Sequence, residues 1–325
     1  MLTYSIAVRT LGTAGDKFRQ ELESIKRQIV QPERVRIYIA NGYAKPDFKV
    51  GVEEYVWVEK GMMKQRLLDY NDIESDLILF LDDDVELAPD SVAKMIDILN
   101  TNQLDAVSAD VFQNHKMSLL SKLFYAFVNL VTPHFKNKWA FKIKKNGSFS
   151  YINNPQRDWY PSQSCGGPAW MIKKTVYKKL NYQDELWLDN LGFAYCEDQI
   201  ETYKIYKNGY KLGVLFNSGI IHLDAKTDSH HYIKNKKKIY IRTKASFAIW
   251  WRTILSSSDS KSKKFLAVMS FATKTIWTLI LLTVFSLISF SYSPIIQFLK
   301  GNLDGWRLVH SQEFISLSSY VLSKN

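Results

Sequence analysis

Three adjacent carboxylates, Asp82, Asp83 and Asp84, are the side chains of this sequence best suited to chemistry. Neighbouring carboxylates repel one another, so a bound cation usually stabilises such a group. Their hard oxygen atoms suit Mg²⁺ or Mn²⁺, and Mg²⁺ typically joins one or two carboxylates to the phosphates of a substrate. A solvated acidic turn is the alternative. Because the apolar run Leu77 to Leu81 leads directly into the triplet, we favour a metal site at the end of a buried strand.

A second acidic group, Glu197 and Asp198, precedes a stretch with helical spacing through Ile200, Tyr203 and Ile205. Carboxylates in the first turn of a helix can simply favour its dipole. A carboxylate in that position can also act as a general base. Both interpretations stay open on the residues alone.

Two glycines and a late histidine complete the set of candidate site residues. Gly166 and Gly167 come before a predicted strand from Ala169 to Ile172. Glycines let the backbone approach a ligand closely, although this pair also fits a simple turn. His222 ends a β-rich run, and a lone histidine is more often structural than a ligand. His222 becomes a candidate metal ligand only if Asp84 lies beside it in the folded protein.

The segments that must position these residues alternate between strand and helix patterns. Apolar or β-rich runs predict strands at Tyr4 to Val8, Val35 to Ala40, Tyr55 to Val58 and Leu77 to Leu81, and helical spacing predicts helices at Asp16 to Gln28, Met62 to Tyr70 and from Pro89 onward. This alternation indicates an α/β fold with a mostly parallel, Rossmann-like central sheet flanked by helices. Such sheets bind ligands beyond the carboxyl ends of their strands, where the aspartate triplet is expected.

Composition and charge indicate a folded protein with an anionic partner. The 325 residues are 46% hydrophobic and 23% charged, with a formal net charge of +11, so intrinsic disorder is excluded as the default. Nucleic acid, nucleotide phosphates and an acidic membrane would each explain the charge. Two basic clusters lie just before the longest apolar stretch, which favours anionic lipid headgroups. The clusters are Lys234, Lys236, Lys237, Lys238, Arg242 and Lys244, then Lys261, Lys263 and Lys264.

Two apolar segments could contact a membrane. Met117 to Val131 has one broad apolar face, which fits either packing on the core or a membrane surface. Thr275 to Leu299 has no charged residue and is long enough to cross a bilayer. Polar residues interrupt it, and Pro294 would break or kink a helix, so we favour in-plane attachment over a true span. The two cysteines, Cys165 and Cys196, have no zinc-type spacing and fit a reducing compartment.

The order of these motifs over residues 3–224 resembles family 2 glycosyltransferases with the GT-A fold, of the bacterial cell-surface polysaccharide type. Leu79 to Asp84 is similar to the strand and DxD motif of that family, and Glu197-Asp198 to its ED motif. Gly166-Gly167 resembles its small-residue motif, and His222 its late histidine. The resemblance implies a catalytic domain at 1–224, a basic connecting segment at 225–264 and a membrane-associated helical region at 265–325.

The resemblance also implies a role for each motif. Asp84 and His222 would hold Mg²⁺ or Mn²⁺, and Asp198 would deprotonate the acceptor hydroxyl for an inverting transfer. Gly166, Gly167 and Glu197 would shape the donor or acceptor pocket. Residues on the nucleotide side of the site would be Arg9, Asn41, Arg66, Asp82 and Asp83.

Departures from the family pattern fall in the nucleotide pocket. Asn41 replaces an acidic residue that often contacts the base, and Arg9 stands where a Pro-Thr-Tyr-Asn-like stretch is usual. Arg66 occupies the place of an Arg-Asn pair, with Leu67 where asparagine is common. A UDP-sugar is favoured as donor because it is the most frequent in the family.

The expected partners are a nucleotide-sugar donor, a glycan or lipid-linked acceptor and an anionic membrane surface, with no nucleic acid. The expected location is the cytoplasmic face of the inner membrane, with peripheral or monotopic attachment. The main alternative is a non-catalytic protein that binds membranes or nucleic acid through its basic clusters. A hydrolase with an aspartyl nucleophile fits poorly, because Glu86 stands where such families need Thr or Val.

Overall fold

The computed structural model of the chain describes residues 2–111, 138–152, 154–192, 195–223 and 236–322. The strands are β1 (Tyr4–Thr10), β2 (Val35–Ala40), β3 (Glu53–Val58), β4 (Leu77–Asp82), β5 (Val85–Leu87), β6 (Ala106–Ala109), β7 (Phe141–Ile143), β8 (Phe149–Tyr151), β9 (Trp159–Ser162), β10 (Ala169–Lys173), β11 (Leu212–Leu215) and β12 (Ile220–His222). The helices are α1 (Asp16–Lys26), α2 (Ser91–Thr101), α3 (Lys174–Lys179), α4 (Glu197–Lys207), α5 (Lys236–Trp250), α6 (Lys261–Ser289), α7 (Ser293–Val309) and α8 (Gln312–Ile315). A 3₁₀ helix spans Tyr182–Leu191, and a π-helical turn, Trp251–Leu255, continues α5.

Eight strands form the central sheet in the order β3-β2-β1-β4-β10-β6-β11-β9. Strands β1 to β4 are parallel, whereas β9 and β10 run antiparallel to their neighbours. The sheet is mixed, but six of its eight strands run in the same direction, so the expected mostly parallel sheet is confirmed. Strand β4 lies at its centre and buries side chains on both faces, which explains its unbroken apolar run.

The two faces of the sheet carry separate cores. Leu79 and Leu81 of β4 pack with Phe18 and Leu22 of α1 on one face. Phe80, on the other face, stacks on Trp170 of β10 at 4.5 Å between ring centroids. Because alternate residues of β4 serve both cores, the strand is fixed and its carboxyl end carries the aspartate triplet to the edge of the sheet.

The helices predicted at Asp16 and after Pro89 are confirmed, and α4 ends before Gly209 as expected. The helix predicted at Met62 to Tyr70 is wrong, because residues 62–66 form successive turns. The Asp189 carboxylate accepts hydrogen bonds from the backbone N–H groups of Met63 and Lys64 at 2.9–3.1 Å. These tertiary bonds override the local helical pattern.

The C-terminal helices pack partly on the sheet domain and partly on one another. Gly301 and Gly305 of α7 lie against Thr243 and Phe247 of α5, where a Cβ on either glycine would come within 2.7 Å of a side-chain atom. The helix break expected at Pro294 is confirmed, since α6 ends at Ser289 and α7 begins at Ser293. The predicted amphipathic helix Met117 to Val131, and Lys234, lie outside the described residues.

Helix α6 leaves most of its apolar side chains exposed. Within the described part of the chain it is the one helix long and apolar enough to cross a membrane. Ile288 is 74% exposed and Phe290, directly after the helix, is 95% exposed. An exposed apolar surface of this extent is typical of an interaction site. The proposed boundaries at 224 and 264 remain predictions.

A buried ion triad fastens the C-terminal helices to the sheet domain. Glu185 of the 3₁₀ helix pairs with Lys204 of α4 at 2.7 Å and with the Arg252 guanidinium of the π-helical turn at 2.6 and 2.8 Å. Burial opposes ionisation of Glu185, but the hydrogen bonds and charges of Arg252 and Lys204 lower its pKa overall. The carboxylate is therefore the counter-ion for two buried cations.

Replacing Glu185 by Gln is expected to lower the free energy of unfolding at pH 7 by about 3–5 kcal/mol, because two buried cations lose their counter-ion. Since the folded-state pKa is lowered, the wild-type stabilisation is present above the unfolded pKa of about 4.3 and is lost as pH falls through the folded pKa. Urea unfolding at pH 7 and in acid measures both effects. The matched control is Asp259→Asn, which removes the exposed partner of Lys263 and should leave the midpoint unchanged. Equal midpoints for Glu185→Gln and wild type would contradict the assignment.

Candidate active site

Four segments bring the candidate residues to one edge of the sheet. Arg9 and Asp82 are register partners at the carboxyl ends of the parallel strands β1 and β4. The loop before β10 contributes Gly167, and the first turn of α4 contributes Glu197 and Asp198. This is the edge at which sheets of this kind bind ligands.

Arg66 lies at the centre of the site and contacts carboxylates from both acidic motifs. Its buried guanidinium, with the side chain only 2% exposed, lies 2.5 Å from Asp82 Oδ1, 3.1 Å from Asp198 Oδ1 and 3.3 Å from Glu201 Oε2. It also donates to the Gly167 carbonyl at 3.4 Å. The planar guanidinium can donate in several fixed directions, so this one side chain holds the two acidic motifs together.

Asp82 is held ionised by two arginines. Arg9 Nε donates to Asp82 Oδ1 at 2.9 Å, on the same oxygen that Arg66 contacts. Burial alone would raise the pKa of Asp82, but the Arg9 and Arg66 guanidinium groups outweigh it and hold that pKa well below its usual range. Arg9 also lies 3.8 Å from Glu197, so it lies between Asp82 of β4 and the first turn of α4.

Asp83 lies in a different environment from its neighbour. It accepts a hydrogen bond from Thr10 Oγ at 2.5 Å, and Thr10 Oγ in turn accepts one from the Gly12 N–H at 2.7 Å. Burial, followed by the charges of Asp84 and Asp82, raises the pKa of Asp83 to about 6. Asp83 therefore fixes the loop after β1, where the nucleotide side of the site was predicted.

Asp84 and His222 are brought together by a short two-stranded sheet. Strand β12 pairs with β5 so that His222 is the register partner of Val85. His222 Nε2 consequently lies 3.0 Å from Asp84 Oδ1. A carboxylate oxygen and an imidazole nitrogen are both atoms that divalent cations accept. Within the described ranges no third His, Cys, Asp or Glu completes the group, so substrate phosphates and water would supply the other ligands.

Glu197 and Asp198, the acidic pair of α4, differ in their exposure to solvent. Burial, and then the adjacent Asp198 carboxylate, raises the pKa of Glu197 to about 8, so Glu197 keeps its proton near neutral pH. Asp198 is 34% exposed and faces the cleft beside Gly167. A Cβ at Gly167 would come within 2.0 Å of Asp198 Oδ1, so glycine is needed for this close approach. Asp198 is therefore the accessible acid of the pair.

Two predicted residues stay outside this network. Asn41 is exposed at the end of β2, where its backbone N–H donates to the Val58 carbonyl. Gly166 is buried in the loop before β10, next to Gly167. Their roles in the nucleotide and acceptor pockets remain predictions.

Two buried acids of the site were missed by the sequence interpretation. Glu201 lies four residues after Glu197 on the same face of α4, and burial raises its pKa to about 7 against the opposing charge of Arg66. Glu21 is fully buried on α1, where burial and then the charges of Asp83, Asp82 and Asp84 raise its pKa well above normal. A glutamate on the core face beside Phe18 and Ile25 was the available signal.

Comparison with known proteins identifies the family of the chain. A family model described as glycosyl transferase family 2 matches residues 14–180, slightly more than half of the chain. No curated protein is detectably similar to the chain.

Several solved structures are similar to the chain. GalNAc-T7 with UDP, GalNAc and Mn²⁺ is 11% identical, with a TM-score of 0.50 over 83% of this chain and 54% of that one. TarS of S. aureus is 12% identical, with a TM-score of 0.50 over 84% and 43%. The mannosyltransferase PcManGT from Pyrobaculum calidifontis, in complex with GDP-Man and Mn²⁺, is 12% identical, with a TM-score of 0.49 over 95% and 86%. The chain spans about half the length of GalNAc-T7 and less than half of TarS.

Proposed function

Because the chain belongs to glycosyltransferase family 2 and has the GT-A fold, we propose that it is a metal-dependent, inverting glycosyltransferase. Its donor is a nucleotide sugar, with a UDP-sugar favoured, and its acceptor is a hydroxyl of a glycan or of a lipid-linked glycan. The transfer serves the synthesis of a bacterial surface polysaccharide. GalNAc-T7, which shares the fold, was solved with UDP, GalNAc and Mn²⁺.

One observation carries this proposal. The Arg66 guanidinium contacts both Asp82 and Asp198, and so joins the DxD-like triplet to the acid at the start of α4. Two motifs that are 116 residues apart in the chain thereby face one cleft. A donor whose diphosphate lies at the triplet would have its transferable sugar beside Asp198.

The proposed reaction is an in-line displacement. Asp198 takes the proton of the acceptor hydroxyl while the hydroxyl oxygen forms a bond to the anomeric carbon. The bond between that carbon and the diphosphate oxygen breaks on the opposite face, which inverts the configuration and releases the nucleoside diphosphate. Arg66 keeps the Asp198 carboxylate in position for the attack.

Asp84 and His222 are the residues that would hold Mg²⁺ or Mn²⁺. When bound, the cation would offset the negative charge that develops on the leaving diphosphate. Arg9 lies next to Asp82 on the nucleotide side, and we assign its guanidinium a contact with a donor phosphate.

The proposal is tested by thermal denaturation of the full chain with a panel of nucleotide sugars, with and without Mn²⁺ or Mg²⁺. A donor present at about 100 times its Kd adds about 2.7 kcal/mol to the stability of the folded state. We expect one class of donor to raise the Tm of the wild type, and we expect this rise to require the cation. In Asp84→Asn the cation-dependent part of the rise in Tm should be lost.

The matched control is Asp69→Asn, an exposed aspartate whose side chain bonds Asn71, which should respond to the donor like the wild type. A chain that binds no nucleotide sugar under any of these conditions would end the proposal. Donor binding that is equal in wild type and Asp84→Asn, with and without the cation, would overturn the metal assignment alone.

A non-catalytic protein that binds nucleic acid or membranes is the competing function. The observation that favours it is the density of basic residues in α5 and at the start of α6. Tight, salt-sensitive binding to nucleic acid without binding of a nucleotide sugar would support it. In such a protein the buried network around Arg66 would be structural only.

We place the enzyme at the cytoplasmic face of the inner membrane, attached peripherally or as a monotopic protein. The exposed apolar residues of α6 support this location, as do Lys261, Lys263 and Lys264 at its first turn. Basic side chains next to an apolar helix are suited to anionic lipid. The vesicle experiment below also measures this attachment.

A further inference from the structure

An apolar groove lies between α5, its π-helical turn, α6 and α7. Its volume is about 470 Å³, within the range of sites for small organic ligands. Aromatic rings of Phe247, Trp250, Trp251 and Phe271 form much of its wall. The Trp250 and Phe271 rings stack at 4.1 Å, so the wall is firmly packed. The active site described above uses none of these residues.

The groove opens onto the exposed apolar face of α6. Val268 and Ile276 line the groove, and both are also exposed to the outside. Continuity between the groove and this face gives a hydrocarbon chain a path from the membrane surface into the protein. A soluble sugar or nucleotide has no polar partner along most of this wall.

One hairpin turn connects the groove to the active site. The turn between β7 and β8 holds Gly147, where an added Cβ would lie 3.1 Å from the Trp250 Cβ. The Gly147 carbonyl accepts a hydrogen bond from Gln199 at 3.0 Å. The Trp250 indole N–H donates to the Lys145 carbonyl at 2.9 Å. Gln199 follows Asp198 directly on α4. The end of the groove and the proposed base are thus anchored on the same turn.

Two basic side chains, from the groove helices α5 and α6, lie close to the residues just before the acidic pair of α4. The Arg242 guanidinium is 4.9 Å from the centre of the Tyr195 ring, two residues before Glu197. Lys274, one residue before the groove residue Thr275, donates to the Asn146 carbonyl at 3.3 Å and is close enough to Cys196 to interact with it. Arg242 precedes Trp250 by eight residues, or about 12 Å along a helix. Cations at this distance from an apolar groove suit a phosphate joined to a long chain.

We propose that this groove binds the hydrocarbon chain of a phosphate-linked lipid acceptor, with Arg242 and Lys274 at its phosphate and the acceptor sugar directed to Asp198. The inference rests on the proposed glycosyl transfer and selects the lipid-linked acceptor over a free glycan. Bulk membrane lipid and a second copy of the chain are the other candidate occupants.

The test uses the full chain on phosphatidylcholine–phosphatidylglycerol vesicles that contain traces of hexadecyl phosphate with a mid-chain diazirine. After irradiation, we expect labelled peptides from 247–255 and 268–276. Ala272→Phe fills the groove and should lower this labelling about tenfold, and Ala272→Leu should lower it less. Thr283→Phe is the matched control, because residue 283 lies three turns further along the same side of α6, is exposed and lies outside the groove; it should label like the wild type.

The phosphate contact is tested with Arg242→Gln and Lys274→Gln. Both should lose labelling by hexadecyl phosphate several-fold while keeping labelling by the uncharged diazirine hexadecanol. Lys179→Gln, an exposed lysine at the end of α3 and outside the basic clusters, is the charge-matched control and should keep both.

Three results would overturn the inference. Label spread along α6 and unchanged by Ala272→Phe would mean contact with bulk lipid. Absence of label together with cross-links between two copies through this face would mean a dimer interface. Equal labelling by the phosphate and the alcohol in every variant would mean that Arg242 and Lys274 do not bind the phosphate of the lipid. Cation-dependent donor binding, measured in the same preparations, shows that each variant is folded. If the wild type itself did not bind a donor, that result would count against the glycosyltransferase proposal instead.

Discussion

Replacement of Asp198 by Asn is expected to lower the turnover number of glycosyl transfer about 10²–10⁴-fold, the range that a general base contributes. The asparagine has the same shape, and its Oδ1 can still accept the hydrogen bond that Arg66 donates to Asp198 Oδ1 at 3.1 Å. The substitution removes the ability of residue 198 to take a proton, together with its negative charge, and keeps its shape. Initial rates and cation-dependent donor binding, measured on the same preparation, separate loss of chemistry from loss of the site.

Glu197→Gln is the matched control for Asp198→Asn, because it alters the adjacent acid. Burial and the neighbouring Asp198 raise the pKa of Glu197 to about 8, so the wild-type side chain is protonated at pH 7 and glutamine resembles it. We expect less than a tenfold change in rate at pH 7. Above pH 8 the wild-type enzyme gains a second negative charge beside Asp198, whereas the variant does not. The two pH profiles should therefore separate only on the alkaline side.

The opposite pattern would reverse the assignment of the base. If Glu197→Gln abolished transfer at pH 7 while Asp198→Asn preserved it, Glu197 would be the acid that takes the proton. Equal loss in both variants together with loss of donor binding would indicate damage to the nucleotide side of the cleft.

Features set by local pattern were predicted from the sequence. The run Leu77 to Leu81 became the central strand because both of its faces are buried, and the GT-A fold class and the family are confirmed. Helix α4 begins at Glu197, so the acidic pair lies in its first turn as expected. The strand and helix predictions depend on residues that are close in sequence, whereas the family prediction depends on the order of motifs over residues 3–224.

Features set by distant contacts were missed. The turns at 62–66 form because Asp189, more than 120 residues away, binds their N–H groups. The antiparallel direction of β9 and β10 depends on the path of their connections, which periodicity does not encode. Glu201 was overlooked because its significance comes from Arg66, a partner 135 residues away.

Replacement of Arg66 by Lys is the sharpest test of whether the acidic motifs act as one site. A lysine ammonium is a point charge and cannot reach Asp82, Asp198 and Glu201 together. We expect turnover to fall about 10²-fold, because a shift of about 1 Å in a catalytic group has that effect. The free energy of unfolding should fall by about 1–3 kcal/mol, since buried carboxylate oxygens lose a donor.

Arg36→Lys is the matched control, since Arg36 on β2 also bridges two carboxylates, Glu54 at 3.0 Å and Asp72 at 3.1 Å, away from the cleft. It should leave turnover unchanged. If Arg66→Lys lost stability but kept its turnover at a temperature where it is folded, Arg66 would be a structural ion-pair partner only. Loss of turnover beyond the loss of folded protein, seen for Arg66 and absent for Arg36, would show that the guanidinium positions Asp198 relative to Asp82. The two acidic motifs would then act as one site because a single buried cation fixes the distance between them.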